Sequence, residues 1–278
     1  MAGPELFQDV RFQPGFLARL EALAARVSIA RERREGGGVP SLLGAGSEFF
    51  GYRPYARGDD LRGLDWDVFA RSRRPFVRIA RREAGEAWLV RLDASASMGV
   101  GPPGKLQRGA EVAAGLATIG LREGAEIRVE AGARAFVVRQ RRKLPELCRF
   151  LETLRAEGGS APLRRTPVAR VVLVGDLRDV GPADVLRLAG SGTSLSIVHL
   201  LAPVEIEPPR DASVEWWDPE SGGLVSLGID ERTARAYESE VEREIERWHD
   251  ACARHGVPYA FASTALPMEA ILERIALA

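Results

Sequence analysis

The stretch Val168 to Val174 is a nearly continuous apolar run that stops at Gly175 and Asp176. A strand with one wet face alternates apolar and polar residues, so such a run predicts a parallel strand buried on both faces. Ala87 to Leu92 reads as another strand and ends on Asp93, with Phe76 to Ile79 as a strand before it. Helical spacing over 105–122 and 144–154, a hairpin of 126–130 with 135–138 about Gly132, a helix at 184–188 and a strand at 195–201 continue the alternation. A long helix from the N-cap residue Asp230 to His255 stops at Gly256, and a strand at 259–262 and a helix at 268–277 close the chain. Strands alternating with helices predict an α/β fold, doubly wound about a mostly parallel sheet.

Two parts lie outside this alternation. Residues 14–29 place Phe16, Leu17, Leu20, Leu23, Ala24 and Val27 at helical spacing, and the chain then passes through the charged, glycine-rich stretch Arg31 to Gly38. Residues 41–75 show no sustained period. The division expected is therefore an N-terminal helical and irregular extension over 1–85 and a sheet domain over 86–278. Residues 214–217 and 224–227 read as a small β-hairpin added at an edge.

The 278 residues are 45% hydrophobic and 28% charged with a formal net charge of zero, an ordinary globular composition that argues against disorder. Zero net charge supplies no global field for nucleic acid. Between Arg53 and Arg82 nine arginines face four aspartates, but Lys105 and Lys143 are the only lysines, so arginine fills nearly every basic role here. The longest apolar run, Leu195 to Val204, is interrupted by His199 and is too short to span a bilayer. With no signal-peptide pattern at the start, a cytoplasmic protein without membrane insertion is expected. Cys148 and Cys252 lack metal or redox spacing and read as reduced packing residues.

In an open α/β sheet, ligands collect outside the carboxyl ends of strands, where Asp93 and Asp176 both fall. The DASAS loop offers the Asp93 carboxylate and the Ser95 and Ser97 hydroxyls, an oxygen set suited to a small hard cation that keeps several waters. Asp176 and a hydroxyl from the Gly158, Gly159, Ser160 turn can complete it. The bland alternative is that Asp93 caps a helix while the serines fill a polar turn.

DASASMG after an apolar strand, GGS in a later loop and VVLVGD at the fourth strand resemble a von Willebrand factor A domain over roughly residues 86–278. The resemblance implies a metal-ion-dependent adhesion site, binding Mg²⁺ or alternatively Mn²⁺ or Ca²⁺, with a coordination position left for a partner's acidic residue. Asp93, Ser95 and Ser97 would be first-loop ligands, Ser160 the second-loop hydroxyl in place of the usual threonine, with Thr166 as an alternative, and Asp176 the third-loop acid.

The stretch GSEFFGYRPYARGDDLRGLDWDVFAR, residues 46–71, resembles the signature of the bacterial domain of unknown function family 58. Arg53, Arg62 and Arg71 beside Asp59, Asp60 and Asp65 can form bidentate pairs, and Trp66 can anchor the segment. The block serves either fold support or partner binding. Members tend to be encoded beside MoxR-type AAA+ ATPases, so the resemblance implies such an ATPase as partner and an adaptor or chaperone accessory as role.

Enzymatic readings find less support. GVGPPGK matches phosphate-loop spacing up to Lys105, but Leu106 follows where serine or threonine is required, and two prolines remove backbone donors. A phosphatase of the haloacid dehalogenase type needs an acid where Ser95 stands. No GxSxG elbow occurs. His249, Cys252 and His255 share a helix and read as surface and packing residues. A non-catalytic module is expected, with a Mg²⁺-dependent hydrolase and a scaffold bearing a vestigial site as the alternatives.

Overall fold

The computed structural model describes residues 10–34, 48–55, 64–81, 86–188, 193–210, 212–217 and 223–276. In chain order the helices and strands are α1 (Phe16–Arg34), β1 (Glu48–Pro54), α2 (Trp66–Ser72), β2 (Phe76–Arg81), β3 (Ala87–Leu92), α3 (Lys105–Arg122), β4 (Glu126–Ala131), β5 (Arg134–Val138), α4 (Leu144–Glu152), β6 (Arg170–Gly175), α5 (Pro182–Leu186), β7 (Ser194–Leu201), α6 (Pro203–Ile206), β8 (Ala212–Trp217), β9 (Leu224–Ile229), α7 (Glu231–Arg254), β10 (Tyr259–Ser263) and α8 (Met268–Ala276).

Six strands form one sheet in the order β10-β7-β6-β3-β4-β5. Only the β4–β5 hairpin is antiparallel within it. The chain leaves β3 toward β4 and β5, then returns to place β6 on the other side of β3. Strand order thus reverses between β3 and β6, the place where an open α/β sheet forms a crevice.

Successive strand residues point to opposite faces, and each face has its own core. Trp88, Val90 and Leu92 of β3 join Val112 and Leu116 of α3, Leu147 of α4 and Ile271 of α8. Leu89 points the other way, to Leu173, Val185 of α5 and Trp248 and Cys252 of α7. α3 lies so close to α8 that a Cβ at Gly115 would meet Leu272 Cδ1 at 2.2 Å. Leu20, Leu23 and Val27 of α1 belong to the first core, which is therefore continuous across the division at residues 85 and 86. Truncating one of these buried leucines to alanine costs about 2–5 kcal/mol, enough to loosen α1 from α3.

Two expectations change. The stretch 41–75, aperiodic in sequence, holds β1 and α2. β2 pairs antiparallel with β1 in a two-stranded sheet of their own. The β8–β9 hairpin forms a separate two-stranded sheet, not an added edge. Among the described residues no helix is long and apolar enough to cross a membrane.

Candidate metal centre

Asp93 leaves the end of β3 with its backbone N–H donating to Val174 O of β6 at 2.8 Å, so the two strand ends are held in register. Gly175 permits this approach: a Cβ there would meet Asp93 Cβ at 2.6 Å. One Asp93 oxygen accepts from Ser95 N at 2.8 Å, and the other accepts from the Ser160 hydroxyl at 3.3 Å. The Ser95 and Ser97 hydroxyls are 3.1 Å apart. Ser97 in turn lies close enough to Asp176, which follows the last residue of β6, to help lower its pKa. All five residues expected at the site form one connected set.

The second loop is tied to the first by main-chain bonds: Ala96 N donates to Gly158 O at 2.8 Å and Glu157 N to Ala94 O at 3.0 Å. Gly158 has φ +70, the left-handed conformation that glycine takes most easily. This turn presents Ser160. Among the described residues the Thr166 hydroxyl forms no hydrogen bond with Asp93 or Asp176. Asp93, Ser95 and Ser160 line a cleft together with the apolar residues Leu163, Leu177 and Val180.

The two carboxylates differ electrically. Burial raises the Asp93 pKa above the usual carboxylate range, the Asp176 charge adds to the rise, and the hydrogen bonds from Ser95 and Ser160 only partly offset it. Among the described residues no cationic side chain pairs with Asp93. Burial acts in the same direction on Asp176, but the Lys105 charge, hydrogen bonds from Lys105 and Arg178 N and the nearby Ser97 hydroxyl outweigh it and lower its pKa. Lys105 Nζ lies 2.7 Å from Asp176 Oδ2 and 2.6 Å from Glu205 Oε1, and its side chain is 0% exposed.

Lys105 and Glu205 were absent from the site expected from sequence. The signal available was the rarity of lysine at 105 in an arginine-rich chain; Glu205, 100 positions away, gives none. The same contacts add to the case against a phosphate loop, because this ammonium is buried and committed to two carboxylates. Buried His199 lies beside Asp176, with Nδ1 2.8 Å from the Tyr259 hydroxyl. Burial pushes its pKa down to about 4, against the opposing pull of the Asp176 charge.

A hard divalent cation fits this donor set. Two carboxylates and three hydroxyls come together from neighbouring loops, and Asp93 is a half-buried acid without a paired cation among the described residues, an arrangement that a bound positive charge would relieve. Among the described residues there is no cluster of three or more His, Cys, Asp or Glu that could hold a metal ion. Accordingly Cys252 is buried in the second core, His249 is exposed beside Asp250, and His255 Nδ1 meets its own helix at Ala251 O.

The signature segment departs from expectation at Trp66. This residue is 64% exposed on α2, a helix that buries no residue, and stacks edge-on with Phe69 instead of anchoring the segment. Asp65 caps the helix by accepting from Asp67 N and Val68 N, both at 3.0 Å. Arg71 Nε donates to Asp67 O at 3.2 Å. Asp59, Asp60 and Arg62 and the Arg53 side chain lie outside the described residues.

Known proteins resemble the chain as follows. Uncharacterized protein Rv1480 of Mycobacterium tuberculosis (strain ATCC 25618 / H37Rv) is 32% identical over 235 residues, covering 73% of each chain. Uncharacterized protein Mb1516 of Mycobacterium bovis matches with the same identity and coverage. Among solved structures, conserved hypothetical protein BatB from Bacteroides thetaiotaomicron superposes with a TM-score of 0.41 at 15% identity, covering 69% of this chain and 97% of that one. An aerotolerance-related membrane protein from Bacteroides fragilis NCTC 9343 gives 0.40 at 14% identity, covering 68% and 96%. The family model described as Protein of unknown function DUF58 matches residues 51–247, and the chain belongs to that family.

Proposed function

We propose that the chain is a non-catalytic protein-interaction module, von Willebrand factor A-like, working in the cytoplasm with a MoxR-type AAA+ ATPase. Asp93, Ser95, Ser97, Ser160 and Asp176 hold a Mg²⁺-type cation, Mn²⁺ and Ca²⁺ being the alternatives. Bound there, the cation supplies a Lewis-acidic position for a carboxylate of the partner. Asp93 faces the cation as the acid with no other positive partner among the described residues, Ser95 and Ser97 link the first loop to the third, and Ser160 fixes the second Asp93 oxygen. Asp176 is held ionised by Lys105 and acts at the edge of the site through Ser97.

The observation that carries this reading is the gathering of oxygen donors from three loops around a half-buried Asp93 at the switch between β3 and β6. Catalysis is disfavoured because no acid or base stands two residues after Asp93 and the lysine is sequestered. The test uses purified full chain as bait for a MoxR-type ATPase encoded in the same genome. Capture in Mg²⁺ that is lost in EDTA and lost with Asp93→Ala, without turnover of phosphate esters, is expected. Metal-dependent hydrolysis abolished by Asp93→Ala would replace the module with a hydrolase, and capture indifferent to both treatments would leave a scaffold.

A further inference from the structure

Lys105 is one of only two lysines in the chain, and it is the one that the fold buries completely. Arginine would bring a wide planar fork; an ammonium is a compact point charge that fits between two carboxylates. Its two partners come from different connections, Asp176 in the loop after β6 and Glu205 in α6 after β7. Glu205 is fixed at its other oxygen as well, which accepts from Ala202 N at 2.8 Å. The Arg178 guanidinium stands 3.6 Å from Glu205, but it is 61% exposed and screened by solvent. Among the described residues, the charges buried beside the candidate cation position are Asp176, Glu205 and Lys105, and with the half-buried Asp93 they carry a net charge of minus two.

We infer that Lys105 and Glu205 are positioning residues that set the charge of the cation site, sharing one ammonium between two carboxylates so that the remaining negative charge matches one divalent ion. This inference rests on the metal reading above. Without Glu205 the whole ammonium charge falls on Asp176, and the site repels a divalent ion more. Removing both residues restores the same net charge by other means. A triad serving only to fix the fold predicts no such restoration, because deleting both members removes the contacts altogether.

The experiment titrates Mn²⁺ and Mg²⁺ calorimetrically into the full chain as wild type, Glu205→Gln and the double variant Lys105→Met/Glu205→Gln, with circular dichroism confirming the fold. Should the methionine version not fold, Lys105→Gln/Glu205→Gln keeps hydrogen-bonding groups in place and serves the same comparison. Glu205→Gln is expected to weaken binding about tenfold, the order of effect of removing one unit of charge from the surroundings of a divalent ion in a partly screened site. The double variant is expected to return to within about threefold of wild type, a difference of well under 1.4 kcal/mol. Glu205→Gln binding as tightly as wild type, or a double variant as weak as the single one, overturns the inference while leaving the metal reading intact. A wild-type chain that binds neither ion overturns both.

Discussion

Ser160 donates its hydroxyl to Asp93 Oδ2 across 3.3 Å, joining residues 67 positions apart. The bond exists because the Gly158 turn is clamped to the first loop by main-chain hydrogen bonds at Ala94 and Ala96. Two loops with no sequence proximity therefore present one oxygen cluster.

This geometry separates Ser160 from Thr166. Ser160→Ala is expected to weaken Mn²⁺ binding about fivefold to tenfold, roughly the loss of one net hydrogen bond of about 1 kcal/mol. Thr166→Ala is expected to leave it unchanged. Calorimetric titration of the two variants checks this, and the reverse order would assign the second-loop role to Thr166.

Asp93 should trade stability against binding. Its folded-state pKa lies above the unfolded value, so its favourable contribution is complete below the unfolded pKa and disappears as pH rises through the folded pKa. At neutral pH the charge is a cost to the metal-free fold. Asp93→Asn is therefore expected to raise Tm in EDTA, yet to abolish the stabilisation that wild type gains from Mg²⁺, about 2.7 kcal/mol at a concentration one hundred times Kd. Thermal melts with and without Mg²⁺ test both halves, and a lower Tm in EDTA would contradict the electrostatic account.

Gly175→Ala adds a methyl group at the closest approach of the two strand ends, where Asp93 Cβ would lie 2.6 Å away. The expected destabilisation is about 1–3 kcal/mol, with metal affinity lost because Asp93 is displaced. Denaturant unfolding and Mn²⁺ titration of the same sample measure the two effects; unchanged affinity would mean that Asp93 can shift without consequence.

His199 should be neutral throughout the physiological range. With a folded pKa depressed to about 4 by burial, the unfolded state takes up a proton first, so stability falls as pH drops from about 6.5 through 4. The full loss is roughly 3 kcal/mol. Imidazole NMR shifts followed against pH should show no titration of His199 near 6.5, whereas a midpoint there would place the ring in a wetter environment than its contacts with Tyr259 and Trp248 allow.

Trp66 distinguishes partner binding from fold support in the signature segment. At 64% exposure on a helix with no buried residue, Trp66→Ala is expected to change unfolding free energy by less than about 0.5 kcal/mol. If the segment serves a partner, the same substitution reduces capture of the ATPase. A large loss of stability would return Trp66 to a supporting role.

Much of the scaffold was legible because its signals are local. β3 and α3 fall where the apolar run Ala87–Leu92 and the spacing of Leu106, Val112, Leu116 and Ile119 place them, since each packs one side chain after another into a core. Asp93 and Asp176 stood out for the same reason, as acids ending buried strands. β1 was hidden because it pairs only with β2 and carries no apolar period of its own. Trp66 was misread because aromatic character predicts burial only on average, and α2 has no core to face. The Lys105–Glu205 contact is purely tertiary: Lys105 sits in a stretch that mimics a phosphate loop, and nothing in the sequence around Glu205 points to a partner 100 positions away.

The central claim, that the β3–β6 switch holds a divalent cation through Asp93, is tested most directly by Mn²⁺ electron paramagnetic resonance on the full chain. Stoichiometric loss of the free-Mn²⁺ signal with wild type, at one ion per chain, and its persistence with Asp93→Ala are the predicted results. A free signal undiminished by wild type, or diminished equally by Asp93→Ala, would contradict the account.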